Sequence, residues 1–337
     1  MVSNFAEVIA RMANNKARSQ LRMLNSPFKW VGGKSRLRKA IIPIIPPHSC
    51  YVEPFAGAAW VLFGKPPSDV EILNDIDQEL TNFFQVVKET PEELIASFEW
   101  ELVSRSEFDK LAGLDPSELT EVQRAHRFYY LIMAGWGGEA RYPRFQTSIR
   151  DGGHGNRLVG ALKTLRQRII PIHHRLRTVI IENLDWTECI DRYDRPGTVM
   201  YLDPPYPGNG ANYKHNMRGE DDHRVLVERL SSAQCKWILS SYDTPEIHDL
   251  FGRYVIIPLR SSSGMKTGAD EERNGGRKRT LNREVLVTNF VPPEMQQSPL
   301  PLRKAAEQGR LLEAKSAYSP TSPASAIDID IVPSFEQ

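Results

Sequence analysis

The chain of 337 residues is poor in cysteine, and Cys50, Cys189 and Cys235 stand far apart with no CxxC pair. That spacing argues against a disulfide framework or a zinc cage and favours a reducing compartment. No apolar run approaches the ~20 residues that a membrane helix needs. Glu7, Arg11 and Asn14 interrupt any apolar core that a secretory signal would require. A cytoplasmic protein with no membrane partner and no obligate protein partner is expected. Net charge is scarce too: 43 Lys and Arg face 42 Asp and Glu, a formal +1. Taken as a total, this disfavours nucleic acid, which usually selects a basic face. GxGxxG is absent, so a dinucleotide site is disfavoured.

What is present is ordinary globular composition, 40% hydrophobic and 25% charged, which excludes a wholly disordered chain or a coiled coil. Residues 1–26 read as a polar, basic arm with Phe5, Val8, Ile9 and Met12 at helical spacing. Short β-type runs follow at Tyr51–Val52, Val70–Leu73, Val179–Ile181, Val199–Leu202, Trp237–Leu239, Tyr254–Ile257 and Val285–Val287. Helical text separates most of them, the pattern of an α/β sheet. A Ser/Gly/Arg-rich loop separates the last two, which predicts a terminal antiparallel hairpin. Between the second and third runs, residues 91–177 are helical in character: PEELIASFEWELV, SEFDKLAGL, PSELTEVQRAHRFYYLIMAG, then a Gly/Arg/aromatic stretch from Gly135 to Arg157. Residues 292–337 carry seven prolines and read as a mostly disordered tail with a short helix at Leu302–Ala317.

Four motifs carry chemistry. Asp203-Pro204-Pro205-Tyr206 follows the strand Thr198–Leu202. Each proline fixes φ and removes a donor, and the residue before it is held extended. The resulting stiff turn presents a carboxylate, the Pro204 carbonyl and the Tyr206 ring at the strand edge where open α/β sheets bind ligands. Two acceptors beside an aromatic face suit a planar base with an exocyclic amino group; a purely structural turn is the alternative. Tyr51-Val52-Glu53-Pro54-Phe55-Ala56-Gly57 reads as a first strand turning through glycine into a helix, where a polar ligand tail can approach backbone. Asn74-Asp75-Ile76-Asp77 ends the second strand, with Asp75 placed to accept from ribose hydroxyls and Asp77 as an exposed helix cap. Phe28-Lys29-Trp30-Val31-Gly32-Gly33-Lys34-Ser35 mimics the end of a phosphate loop, but Phe28 stands where such a loop needs glycine. A lysine beside glycines and a tryptophan can instead hold a carboxylate while the ring shields a sulfonium.

FKWVGGK, VEPFAG, NDID, a helical insertion and YLDPPY, in that order, resemble the Dam-type DNA adenine-N6 methyltransferases over roughly residues 27–290. The resemblance implies a doubly wound, mostly parallel seven-stranded α/β sheet with an inserted, mainly helical target-recognition domain. It assigns residues 27–90 and 178–291 to the catalytic domain and residues 91–177 to the insert. It implies S-adenosyl-L-methionine as methyl donor, contacted by Trp30, Lys34, Phe55, Asp75 and Asp203, with double-stranded DNA as partner. Asp203, Pro204 and Tyr206 are the implied catalytic residues, acting on a flipped adenine. A cytosine-C5 enzyme needs a cysteine after proline, and none of the three cysteines has one. Trp136 is expected to wedge into the base stack, Arg141 to read a guanine edge or touch phosphate, and Arg144, Arg260 and Lys278 to contact DNA. Gly137 stands where relatives often carry Asn, which leaves the target sequence open. Trp60 replaces a small residue of close relatives, either packing in its helix or narrowing the cofactor pocket. His154, His173 and His174 lack the companions of a metal site.

The charge total also conceals segregation. Residues 91–125 hold nine acids and three bases, residues 157–177 six bases and no acid, and residues 253–284 eight bases and four acids. A basic DNA cleft and an acidic outer helical face are expected, since local charge governs phosphate binding.

Overall fold

All seven β-type runs become strands of one sheet in the computed structural model, which describes residues 23–30, 32–135, 144–146, 156–206, 220–259 and 284–293. The strands are β1 (Cys50–Glu53), β2 (Val70–Asn74), β3 (Val179–Glu182), β4 (Thr198–Leu202), β5 (Lys236–Tyr242), β6 (Val255–Leu259) and β7 (Glu284–Thr288), in the order β3-β2-β1-β4-β5-β7-β6. The first five pair in parallel. The expected hairpin forms, with β7 antiparallel to both neighbours and slotted between β5 and β6. All five residues of β4 are buried, as an apolar run covered on both faces requires. Strand succession runs one way from β1 through β2 to β3 and the other way from β4 to β5. The carboxyl ends of β1 and β4 therefore flank the crevice where doubly wound sheets take ligands.

Helices alternate with these strands. Helix α1 (Arg38–Ile44) precedes β1, and α2 (Trp60–Gly64) follows it. Helix α3 (Gln78–Glu89) follows β2 and buries Leu80, Phe83, Phe84 and Val87, the i, i+3, i+4, i+7 stripe of an amphipathic helix. Asp77 caps α3 by accepting from the Glu79 amide at 3.0 Å, as expected, but it is buried, not exposed.

Between β2 and β3 lie α4 (Pro91–Ser97), α5 (Arg105–Gly113), α6 (Glu121–Ala134), α7 (Arg157–Leu162) and α8 (Leu165–Leu176). The helix-like text here is more broken than its composition suggests. Helix α4 stops at Ser97; Phe98 turns into the core while Trp100 stands 91% exposed. Ser104 then caps α5 by accepting from the Glu107 amide. Pro116–Glu118 is a 3-10 turn, and α6 restarts behind a reciprocal Thr120–Gln123 capping box. Polar side chains that bond nearby amides thus outcompete continuation of the helix.

These helices share one core with the sheet, running from Phe28, Ile41 and Tyr51 through Phe83 and Phe84 to Phe128, Tyr129 and Ile169. Val52, Met200, Leu226, Trp237 and Phe251 belong to a second cluster; Tyr51 and Val52, adjacent on β1, point to opposite faces. Helices α9 (Trp186–Tyr193), α10 (Glu220–Ser232) and α11 (Pro245–Phe251) complete the described elements. Among the described residues no helix is long and apolar enough to cross a membrane. The basic arm to Arg22 and the helix expected at Leu302–Ala317 lie outside the described residues.

Candidate active site

The four motifs converge at the carboxyl edge of β1, β2 and β4. Lys34 is buried, and its Nζ lies 2.8 Å from Asp203 Oδ1 while donating to the Gly32 carbonyl at 2.8 Å. The same ammonium stands 4.8 Å from the centre of the Tyr206 ring. Ser240, fully buried on β5, donates to Asp203 Oδ1 at 2.8 Å, and its Oγ lies 3.1 Å from the Tyr201 hydroxyl. Among the described residues, both partners of the Asp203 carboxylate therefore go to Oδ1. A buried ammonium requires such pairing, because stripping its partner leaves it uncompensated.

Pro204 and Tyr206 are buried, and Asp203 keeps 19% of its side chain exposed. The stiff turn thus packs most of its ring inward, leaving Tyr206 8% exposed to the crevice, and offers its carboxylate. The Tyr206 ring meets Tyr242 edge-on at 4.5 Å and 75°, and its hydroxyl donates to Glu284 Oε2 at 3.2 Å. Burial, then the Asp203 charge, holds the phenol well above its ordinary pKa, so it acts as a donor.

The second half of the crevice is built around Gly57. Its amide donates to Asp75 Oδ2 at 2.9 Å, and the Asp77 amide donates to Oδ1 at 3.0 Å. Burial nevertheless pushes the Asp75 carboxyl up to about 6. Gly57 has φ +46, and a Cβ there would stand 3.0 Å from Cδ1 of Trp30. Trp30, Gly57 and Asp75 are thereby contiguous. Trp30 packs against Phe28 and, at 5.9 Å, Phe128 of α6. Phe55 is half-buried and stacks on Trp186 at 6.0 Å and 29°. Under this floor Glu53 is buried and accepts from the Tyr51 hydroxyl at 2.9 Å and the Leu62 amide at 2.7 Å, and burial pushes its carboxyl up to about 8.

Trp60 packs against the glycine loop rather than standing alone. Its Nε1 lies 3.0 Å from where a Gly33 Cβ would be, and the Arg38 guanidinium stacks on its ring at 5.0 Å. Of the residues expected to touch DNA, Arg144 is exposed, while Trp136, Arg141, Arg260 and Lys278 lie outside the described residues. The stretch that carries Trp136 and Arg141 is closed at its base. Gly135 bridges Phe145, and Asn156 Nδ2 donates to the Ala134 and Gln146 carbonyls at 3.0 and 2.9 Å. His173 Nδ1 faces the Val87 and Lys88 carbonyls.

Ser240, Tyr242, Glu284 and Trp186 were not legible as site residues. Ser240 gave a faint signal, a hydroxyl in the apolar run WILSSY. Glu284 gave none, because only the antiparallel pairing of β7 brings it to Tyr206.

Residues 30–263 match the family described as D12 class N6 adenine-specific DNA methyltransferase. A Type II methyltransferase of Lactococcus lactis subsp. cremoris is 26% identical over 284 residues, covering 78% of this chain and 95% of that protein. A DNA adenine methylase of Haemophilus influenzae is 26% identical over 256 residues, covering 68% and 84%. One of Salmonella typhi is 27% identical over 265 residues, covering 72% and 92%.

Proposed function

The chain belongs to the D12 class of N6 adenine-specific DNA methyltransferases, and from that premise we propose that the crevice at β1 and β4 holds S-adenosyl-L-methionine beside a flipped adenine of double-stranded DNA. The Lys34–Asp203 pair, flanked by Tyr206, carries the reading.

The residues fit the methyl donor. Gly57 and Gly33 let Trp30 and Trp60 approach the backbone more closely than a Cβ would allow, which shapes the wall of the crevice. Asp75 offers a carboxylate to ribose hydroxyls, Phe55 with Trp186 gives an aromatic wall, and Lys34 is a cation for a carboxylate. When bound, S-adenosyl-L-methionine supplies an electrophilic methyl group on a sulfonium. The rest of the work falls to the protein. Ser240 and Lys34 fix Asp203 through Oδ1, which assigns Oδ2 to one hydrogen of the adenine amino group. The Pro204 carbonyl takes the other. Two accepted hydrogen bonds raise electron density on the amino nitrogen and orient its lone pair. Tyr206 stacks on the base, so positioning supplies a large share of the rate. Extrusion of the base leaves a gap in the duplex for Trp136, and the stretch closed by Gly135 and Asn156 reads the flanking sequence.

Asp203→Ala tests the reading. Methyl transfer from labelled donor to duplex DNA should vanish while circular dichroism and melting report a folded protein. Wild-type transfer by the variant would remove Asp203 from the chemistry.

A further inference from the structure

We propose that Glu284 is a positioning residue for methyl transfer, tethering Tyr206 by its hydroxyl so that the ring face stays set for the base. This rests on the roles given above to Lys34, Asp203 and Tyr206 and extends them to a residue outside all four motifs.

Glu284 opens β7 and is held from both sides, in register with Tyr242 on β5 and Leu259 on β6. Its backbone is therefore fixed by two ladders. Its Oε2 accepts from the Tyr206 hydroxyl at 3.2 Å and lies 3.9 Å from Lys34 Nζ. Tyr242, its partner across the ladder, forms a T-shaped contact with the same ring. Three contacts thus act on Tyr206: Tyr242 in a T-shaped ring pair, Lys34 over its face and Glu284 at its hydroxyl. The torsion about a tyrosine ring bond is broad, so a single T-shaped contact leaves the ring tilt loosely set. An anchored hydroxyl removes that freedom. The anchor stands 23% exposed, and a carboxylate so enclosed is costly unless it is paired. Lys34 supplies the pairing and is shared with Asp203. The ammonium thereby links the group that accepts from the amino nitrogen to the group that fixes the stacking ring.

The test is single-turnover methyl transfer from labelled S-adenosyl-L-methionine to duplex DNA by E284A, E284Q, Y206F and the E284A/Y206F double variant. S-adenosylhomocysteine affinity is measured alongside. E284A and Y206F should each slow transfer about tenfold, the scale of one lost hydrogen bond to a charged group, with affinity for the analogue within twofold of wild type. The double variant should be no slower than E284A, because both changes remove one contact. E284Q keeps an acceptor for the hydroxyl and should retain more than half of the wild-type rate. Losses that multiply in the double variant, an E284Q as slow as E284A, or a Y206F within twofold of wild type would each overturn the tether. Y206F decides the matter even where E284A does not fold. No transfer by the wild-type chain to any adenine-containing duplex would sink the underlying functional reading instead.

Discussion

Gly57→Ala probes the join between the cofactor half of the crevice and the first strand. Gly57 sits at φ +46, in the left-handed region that costs an L side chain roughly 1–2 kcal/mol. Its new Cβ would also stand 3.0 Å from Trp30 Cδ1 and 3.3 Å from Nε1. The indole cannot yield freely towards the core, because it packs against Phe28 and Phe128, which also touch each other. The alternative is rotation of the Gly57 peptide, which breaks the 2.9 Å hydrogen bond to Asp75. Either response disturbs a surface assigned to the cofactor. Melting should fall by roughly 2–6 °C, the shift that 1–2 kcal/mol produces in a large domain. Affinity for S-adenosylhomocysteine should fall by about tenfold or more, equivalent to about 1.4 kcal/mol. Titration calorimetry reads the affinity, with Gly113→Ala as control, since nothing lies within 4 Å of a Cβ added there. A Gly57→Ala protein that binds the analogue as tightly as wild type would refute the placement of the cofactor against Gly57, Trp30 and Asp75.

Ser240→Ala removes one of the two groups that hold Asp203 Oδ1 and strips the Tyr201 hydroxyl of its neighbour. Single-turnover transfer should slow about tenfold, and a rate within twofold of wild type would remove Ser240 from the orientation of Asp203. Asp75 sets a pH dependence of two opposite signs. Its carboxyl is raised from 3.8 to about 6 by burial, so the folded chain binds this proton more tightly than the unfolded chain. The folded state is then penalised by roughly 3 kcal/mol above pH 6, and this penalty is relieved as pH falls from 6 towards 3.8. Cofactor affinity should move the other way over the same window, because a protonated Asp75 accepts poorly from ribose hydroxyls. Denaturant melts and calorimetry at pH 5, 6 and 7 check both, with Asp75→Asn as the comparison that lacks this titration but keeps that of Glu53; an affinity flat across that range would overturn the role of Asp75.

The sheet was legible because its strands are short apolar runs set off by helices and turns, and hydrophobic periodicity is a local signal. Lys34, Asp75, Asp203 and Tyr206 were legible for a related reason: each lies inside a short motif whose backbone demands are visible in neighbouring residues. Glycines mark the close approaches and prolines mark the stiff turn. Residues that act across the sheet left no such mark. Ser240 reaches Asp203 from 37 positions away, and Glu284 reaches Tyr206 from 78. Their placement depends on strand order, and the slotting of β7 between β5 and β6 is a tertiary outcome that a local pattern does not encode. The helix ends between β2 and β3 were blurred by a different effect. Composition there is uniformly helix-compatible, and single capping side chains such as Ser104 and Thr120 decide where each helix begins.

Charge shows most plainly how three dimensions revise a count. The six bases of residues 157–177 argue from sequence for a phosphate-binding surface. Two of them, Arg157 and Arg175, are committed inside the protein, and a third, Arg166, is exposed but paired at the surface. Arg157 donates to the Gly135 carbonyl at the base of the stretch that carries Trp136, Arg166 pairs with Glu92, and Arg175 is buried against Glu71 and the Leu62 carbonyl. Lys163, Arg168 and Arg177 are exposed as well. Each phosphate contact contributes close to one unit to the salt dependence of binding, so the four exposed bases of this segment support a slope of about four at most rather than six. The acidic side survives better, with Glu93, Glu99, Asp109, Asp115, Glu118 and Glu121 all exposed. The basic segment is thus partly a clamp that fixes helices onto the sheet, and a DNA surface built on it must draw much of its positive charge from elsewhere in the chain, where residues 253–284 hold eight further bases.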